Sequence, residues 1–342
     1  MKKLSLIGLI ICAALGMSLF LHENQGGETE TSLGIVTSVS NMDDSGNPEE
    51  LGKVHWDRNL ESGHTSAVKA GKPMLILFQE VPGCSNCTRF GNSTLSHPLI
   101  VEAIETYFIP VCIYNNKGGK DAEALKKFKE PSWNNPVVRI VDANYSDLVP
   151  RMPNFNSPAQ LVRGINQALT KNLIAVPPYL QLLEEEMEAR EKGLETATFS
   201  MYCFWKGEGI FGNIPGVIET EPGFQSGKEV VKVQFNPAIV EKAELKSLTN
   251  PQGVSACSNN NGFSIDREPK YYLSHTEYAY LPMTTLQACR ANSLIGDKKS
   301  PEALFSPRQL ELLKKVSSQK KQHRQKMIGR KDLATAWEEV NM

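Results

Sequence analysis

In the first half of the chain, continuous apolar runs alternate with segments whose apolar residues have helical spacing. Three mostly apolar runs, at 73–78, 108–114 and 136–141, have the length and composition of buried strands. Segments with helical character lie between and after them, so strands and helices alternate as in an α/β domain. The helices predicted here are 65–70, a helix opening at Cys84, 97–107, 121–128 and 157–170.

The second half of the chain has a different pattern. A helix at 177–192 carries an apolar stripe and ends at Gly193. Beyond it, short strands are interspersed with helices, which indicates an α+β region, and the Asn-, Ser- and Gly-rich residues 250–270 are predicted to form a loop. The predicted elements are strands 196–203, 217–221 and 229–236 and helices 206–214, 237–248, 306–315 and 331–340. We expect the last two helices, which are polar, to lie at the periphery.

The length of 342 residues predicts two domains, because a single hydrophobic core rarely grows beyond about 250–300 residues. The apolar fraction of 40% is that of a soluble globular protein. A net charge of −1 offers no positive field for a nucleic acid, so no nucleic-acid partner is expected. The predicted boundaries are 52–172 for the first domain, 173–195 for a connecting helix, 196–305 for the second domain and 306–342 for a helical, basic C-terminal tail.

The N-terminal residues have the composition of an export signal. Lys2 and Lys3 precede an uncharged, mostly apolar run at 4–21, which is the order found in secretory signals. The run also approaches the ~20 residues that span a membrane, so an uncleaved membrane tether is the alternative. We predict export to the periplasm or another extracytoplasmic space, with 1–22 as signal or anchor and 23–51 as a flexible linker.

Seven cysteines are present, and six of them lie outside the apolar N-terminal run. They could form three structural disulfides, but a protein of this size does not need them, so redox chemistry is the competing interpretation. Cys84 and Cys87 follow a predicted buried strand and open a helix, where free N–H groups stabilise a thiolate. Cys84 is thus the candidate nucleophile and Cys87 the resolving thiol. No second Cys-x-x-Cys pair completes a zinc site, so neither a metal nor a cofactor is expected.

The surroundings of this pair resemble the thioredoxin superfamily. The residues that carry the resemblance are Trp56, Gly71-Lys72-Pro73, the Val-Pro-Gly-Cys-x-x-Cys sequence at 81–87, and Pro136. The resemblance covers about residues 52–171 and implies a thioredoxin-like fold. It also implies that Pro136 is a cis-proline that faces the redox pair and contacts the substrate. Ser85 and Asn86 stand where the family usually has Gly-Pro, which leaves the redox potential open.

A second segment, at roughly 196–280, resembles methionine sulfoxide reductase A. The matching residues are Cys203-Phe204-Trp205, Glu208, Phe211, Pro215-Gly216-Val217, the Gly-Lys-Glu-Val-Val sequence at 227–231, and Lys270-Tyr271-Tyr272-Leu273. The resemblance implies that the thiolate of Cys203 attacks a sulfoxide and is left as a sulfenic acid. It further implies that Glu229 donates the proton. Phe204 and Trp205 would bind the S-methyl group.

The second segment departs from its family near the candidate site. Tyr202 and Lys206 replace two glycines, and the chain before Glu229 is too short for the family's substrate-binding loop. Cys257 and Cys289 are candidates either for resolving thiols or for a structural pair, and the sequence does not rank these alternatives.

The favoured hypothesis is a relay between two thiol centres. Cys203 reduces methionine sulfoxide or a related group in an oxidised protein or peptide, Cys84 and Cys87 then reduce Cys203, and an external thiol reductant recharges the pair. The first alternative is a thiol–disulfide oxidoreductase whose second domain only binds client proteins. The second alternative is a membrane-tethered interaction protein whose cysteines are structural.

Overall fold

A computed structural model describes residues 46–153, 157–250, 253–257, 262–318, 326–328 and 333–341. The predicted export signal and most of the predicted linker, residues 1–45, lie outside this part of the chain. Within the described residues, no helix is both long enough and apolar enough to cross a membrane.

The first sheet contains four strands in the order β2–β1–β3–β4. They are β1 (Met74–Gln79), β2 (Ile109–Tyr114), β3 (Val137–Val141) and β4 (Met152–Pro153). β1 pairs parallel to β2 and antiparallel to β3. All six residues of β1 are buried, as expected for a central strand covered by helices on both faces.

Five helices accompany this sheet. They are α1 (Leu60–Ala70), α2 (Ser85–Ser93), α3 (Pro98–Tyr107), α4 (Lys120–Phe128) and α5 (Pro158–Lys171). α1 begins five residues before the predicted start, because the Asn59 side chain caps it by accepting a hydrogen bond from Glu61 N–H. Gly71, in the left-handed conformation, ends it as the sequence predicts. Strands and helices thus form the α/β region that the apolar pattern predicts.

The second sheet contains five antiparallel strands in the order β8–β5–β7–β6–β9. They are β5 (Glu195–Ser200), β6 (Val217–Gln225), β7 (Lys228–Phe235), β8 (Ser255–Ala256) and β9 (Ser264–Ile265). β8 and β9 lie in the segment that was predicted to be loop, and they form strands because they pair with β5 and β6, respectively.

The remaining helices of the second half connect and flank its strands or continue the chain after them. They are α6 (Pro178–Lys192), α7 (Phe204–Gly212), α8 (Lys242–Thr249), α9 (Tyr271–Ser274), α10 (Thr285–Gly296), α11 (Pro307–Ser318) and α12 (Leu333–Asn341), with short 3-10 helices at Glu49–Leu51, Glu277–Tyr280 and Glu302–Leu304. α8 begins later than predicted, because Asn236 accepts a hydrogen bond from Ala238 N–H in a turn and Glu241 then occupies the N-cap position.

One hydrophobic cluster joins α3, α5 and α6 with α10, α11 and α12. The prediction that the C-terminal helices are peripheral is therefore wrong. Leu312 is only 6% exposed and Trp337 only 7%, because the apolar stripes of these mostly polar helices pack into the shared core. The predicted linker also ends too late, since Leu51 is buried in the same cluster.

Candidate active site

The first candidate centre lies where β1 leads into α2. Cys84 is the N-cap residue of α2, and Cys87 lies in the first turn of that helix. Both thiols are free, and their sulfur atoms are 3.4 Å apart. Cys84 is exposed, whereas Cys87 is 0% exposed. An incoming disulfide can therefore reach Cys84 but cannot reach Cys87 directly.

The two thiols differ in acidity. Hydrogen bonds from the N–H groups of Cys87 and Asn86, and from the Cys87 thiol, lower the pKa of Cys84, although partial burial and the charge of Glu80 oppose them. Burial, together with the hydrogen bond to Cys84, raises the pKa of Cys87 to about 12. The exposed sulfur is thus the one that becomes a thiolate, as a nucleophile requires.

Residues distant in sequence complete this centre. Asn135 Oδ1 lies 2.9 Å from Cys87 Sγ and 4.0 Å from Cys84 Sγ, so it is a second acceptor for the one proton of the Cys87 thiol. The peptide bond between Asn135 and Pro136 is cis, so Pro136 follows directly the residue that contacts both sulfurs. Buried Gln79 donates to the carbonyl oxygen of Cys87 at 3.3 Å and ties β1 to the start of α2.

The second candidate centre lies at the start of α7, beside β7. Cys203 is the N-cap residue of α7 and is half-buried. The N–H group of Phe204 donates to Glu229 Oε2 at 2.9 Å, so the Glu229 carboxylate lies at the positive end of the helix, next to Cys203. The structure thus brings together the predicted nucleophile and the predicted proton donor.

Aromatic rings surround this second centre. Phe204 is buried, and its ring lies 5.4 Å from that of Trp205 and 5.2 Å from that of Phe224. Trp205 stacks on Tyr271 with ring centroids 4.1 Å apart. Burial raises the pKa of Tyr272, and the nearby charge of Cys203 raises it further. Phe204, Trp205, Phe224 and Tyr271 thus form one cluster of packed rings that begins at the residue after Cys203.

A buried ion pair lies behind the aromatic rings, and the sequence analysis did not find it. Glu208 is 0% exposed, and its Oε1 lies 3.3 Å from the Nζ of buried Lys270. Its other oxygen accepts a hydrogen bond from Lys270 N–H at 2.9 Å. Because Tyr271 and Tyr272 directly follow Lys270, this pair positions both tyrosines. Glu208 and the Lys-Tyr-Tyr sequence at 270–272 were both recognised in the sequence, but the sequence does not show that they are in contact.

The structure does not place Cys257 or Cys289 beside Cys203. Cys257 N–H donates to the carbonyl of Thr198 within β5, whereas Cys203 lies beyond the end of that strand. Cys289 is fully buried against Gly212, the last residue of α7. With a helical rise of 1.5 Å per residue, Gly212 lies about 13 Å from Cys203 along the helix axis. A resolving role for either thiol would therefore require rearrangement.

The two centres are also separate from each other. The groups that bond to or perturb Cys84 and Cys87 come from residues 79–135, and the corresponding groups around Cys203 come from residues 204–272. Among the described residues, the groups that contact one centre are therefore different from those that contact the other. α6, which connects them in sequence, is packed into the core rather than free.

Comparison with known proteins addresses the first centre directly. A family model described as thioredoxin-like matches residues 55–143. This part of the chain is a thioredoxin-like domain. The match includes both cysteines of the first centre and Pro136, and the domain has the predicted α/β fold.

The chain is also similar to peptide methionine sulfoxide reductases. It is 34% identical over 101 residues to MsrA of Methanococcus maripaludis strain C5, which covers 25% of this chain and 62% of the relative. It is 39% identical over 69 residues to MsrA of Methanoculleus marisnigri, covering 15% and 42%. The chain thus spans less than two thirds of the length of these relatives. A solved structure of a DsbH oxidoreductase aligns with 36% of this chain and 90% of its own, with 17% identity and a TM-score of 0.31.

The similarity to peptide methionine sulfoxide reductases and the thioredoxin-like domain support an oxidoreductase that uses thiols.

Proposed function

We propose that the protein catalyses thiol–disulfide exchange at Cys84 and Cys87. The observation that carries this proposal is the asymmetry of the pair, in which an exposed sulfur lies 3.4 Å from a fully buried one. The Cys84 thiolate attacks a substrate disulfide, forms a mixed disulfide and releases one substrate thiolate. Cys87 then attacks the Cys84 sulfur, releases the second substrate thiolate and leaves a Cys84–Cys87 disulfide. An external dithiol reduces that disulfide and restores the cycle.

Trapping of the mixed disulfide tests this proposal. A Cys87→Ser variant has no resolving thiol, so it should accumulate a covalent complex with a disulfide-containing protein such as insulin, visible on a non-reducing gel. Cys84→Ser should form no complex. Cys257→Ser, which changes a half-buried thiol elsewhere, is the matched control and should turn over normally. Equal trapping by the Cys84→Ser variant would refute the assignment of the nucleophile.

The second centre favours a second activity, reduction of methionine sulfoxide at Cys203. The observation in its favour is the Glu229 carboxylate at the helix start beside Cys203, where it accepts a hydrogen bond from Phe204, whose ring packs against Trp205. A surface pocket of about 340 Å³ adjoins this carboxylate, lined by Ser200, Met201, Tyr202, Lys228, Glu229 and Gly253. Cys203 attacks the sulfoxide, the oxygen passes to its sulfur as a sulfenic acid, and methionine is released. One thiol condenses with the sulfenic acid and releases water, and a second thiol frees Cys203.

This second activity is tested by dithiothreitol-driven reduction of a methionine sulfoxide peptide. Cys203→Ser should abolish turnover. Glu229→Gln should reduce kcat by about 10²–10⁴-fold, the typical contribution of a positioned general acid. Exposed Glu268→Gln carries the same change in charge and should be unaffected. Unchanged turnover in the Glu229→Gln variant would refute its role as proton donor.

Two further parts of the proposal concern the setting of the protein. Because the two centres are separate, we propose that the relay needs a mobile external dithiol or a second molecule, and Cys84→Ser should then leave dithiothreitol-driven turnover at Cys203 intact.

Lys2, Lys3 and the apolar run at 4–21 support export and an oxidised extracytoplasmic protein as substrate. Protease protection of the full chain in intact cells tests the export.

A further inference from the structure

A carboxylate joins the Cys84 and Cys87 pair where β1 ends. The carboxylate of Glu80 and the two sulfur atoms all lie within 4.8 Å of one another. Glu80 follows the last residue of β1, and the chain then turns back into α2. The tight turn at Gly83 makes this possible, because a Cβ at that position would overlap Glu80 O and lie 2.7 Å from Cys87 Cβ.

We propose that Glu80, Cys84 and Cys87 bind one thiophilic divalent cation of the Zn²⁺ type. Two thiolates and one carboxylate belong to the donor set that Zn²⁺ prefers. With Zn–S bonds of about 2.3 Å, tetrahedral geometry sets the two sulfurs about 3.8 Å apart. Their separation of 3.4 Å needs only a small side-chain rotation to reach that value. The sequence did not predict this site, since spacing alone shows just two of its ligands.

A fourth position of the coordination shell remains for water or a protein oxygen. Asn135 Oδ1 lies 2.9 Å from Cys87 Sγ and 4.0 Å from Cys84 Sγ. Three protein ligands with one open position form an exchangeable site rather than a closed structural one. The cation would therefore come and go with its concentration.

Binding has a defined balance of protons and charge. The cation replaces the two thiol protons, which pass to solvent, and the three ligands together carry three negative charges. Both sulfurs needed for disulfide exchange become metal ligands, so the cation competes with oxidation of the pair. The binding claim does not rest on the proposed exchange activity, because a thiolate pair binds the cation whether or not it turns over a disulfide.

Metal competition with the full, reduced chain tests the proposal. Zn²⁺ is titrated against a chromophoric chelator, and Cd²⁺ is followed through its ultraviolet thiolate-to-metal absorption. We expect one equivalent bound, with loss of the ultraviolet band in the Cys84→Ser and Cys87→Ser variants. Glu80→Gln should weaken binding at least about tenfold, the loss caused by removing even an outer-shell partner.

Two controls separate this site from other thiols and charges. Cys203→Ser and exposed Glu49→Gln should each keep one equivalent at the affinity of the unmodified protein. Binding that survives in Cys87→Ser, or an unchanged affinity in Glu80→Gln, would overturn the three-ligand site. Failure of insulin reduction with intact metal binding would instead contradict only the proposed exchange activity.

Discussion

Replacement of Lys270 by Met is the change whose cost follows most directly from the structure. Glu208 is 0% exposed, and its carboxylate accepts hydrogen bonds from both the N–H group and the ammonium of Lys270. Lys270 is itself buried, and its ammonium also donates to the carbonyl of Thr220. Burial lowers the pKa of Lys270, but nearby negative charges, that of Glu208 first, together with the hydrogen bond to Glu208 outweigh burial and raise that pKa. Burial raises the pKa of Glu208, and Lys270 opposes that shift. Met fills the space but leaves the Glu208 carboxylate with no cation.

The expected loss is about 3–5 kcal/mol of unfolding free energy, the cost of leaving one charge of a buried pair without its partner. Replacing both partners by apolar residues removes that penalty, so a Glu208→Leu/Lys270→Met double variant should recover most of the loss. Lys299→Met removes an exposed ion pair, 3.6 Å from Asp297, and should cost less than about 1 kcal/mol.

Urea unfolding followed by circular dichroism and by tryptophan fluorescence measures these differences. Trp205 stacks on Tyr271, the residue after Lys270, so the native fluorescence should also change when that backbone loses its anchor. A cost below about 1 kcal/mol for Lys270→Met would contradict the argument. So would a double variant that is no more stable than the single one, because the cost would then not come from an unpaired buried charge.

Three further changes test other parts of the structure. Leu312→Ala should cost about 2–5 kcal/mol in urea unfolding if α11 belongs to the core, and a loss below about 1 kcal/mol would make that helix peripheral. Burial raises the pKa of Glu130, but Arg151 and Arg139 outweigh it and lower that pKa. The stabilisation is therefore present above pH ~4.5 and is lost as the pH falls through the depressed pKa. In thermal melts from pH 7 to 3, the difference in Tm between the unmodified protein and the Glu130→Gln variant should shrink. A difference in Tm that stays constant would contradict this. Gly91→Ala places a methyl group against the backbone of the 3-10 helix Glu49–Leu51. Because Gly91 lies in α2, whose N-cap is Cys84, the rate of Cys84 alkylation should change while that of Cys257 does not.

The local pattern of the sequence determined much of the fold. A short continuous apolar run that a turn follows, such as β1, indicates a covered strand, because side chains on both of its faces must leave water. The start of α3 follows from Pro98 after His97, since proline fits the first turn of a helix. Cys84 and Cys87 could be recognised as a candidate redox pair for the same reason, because the helix start that stabilises a thiolate is itself local.

Contacts between distant segments were decided only by the tertiary structure. Asn135 beside Cys87, Lys270 against Glu208 and Glu229 beside Cys203 join residues 48, 62 and 26 positions apart. α11 and α12 were predicted to be peripheral because most of their residues are polar. A narrow apolar stripe is nevertheless enough to bury such a helix once a core lies against it. Spacing along a chain reports which side of an element is apolar, whereas the partner of that side depends on how the elements pack.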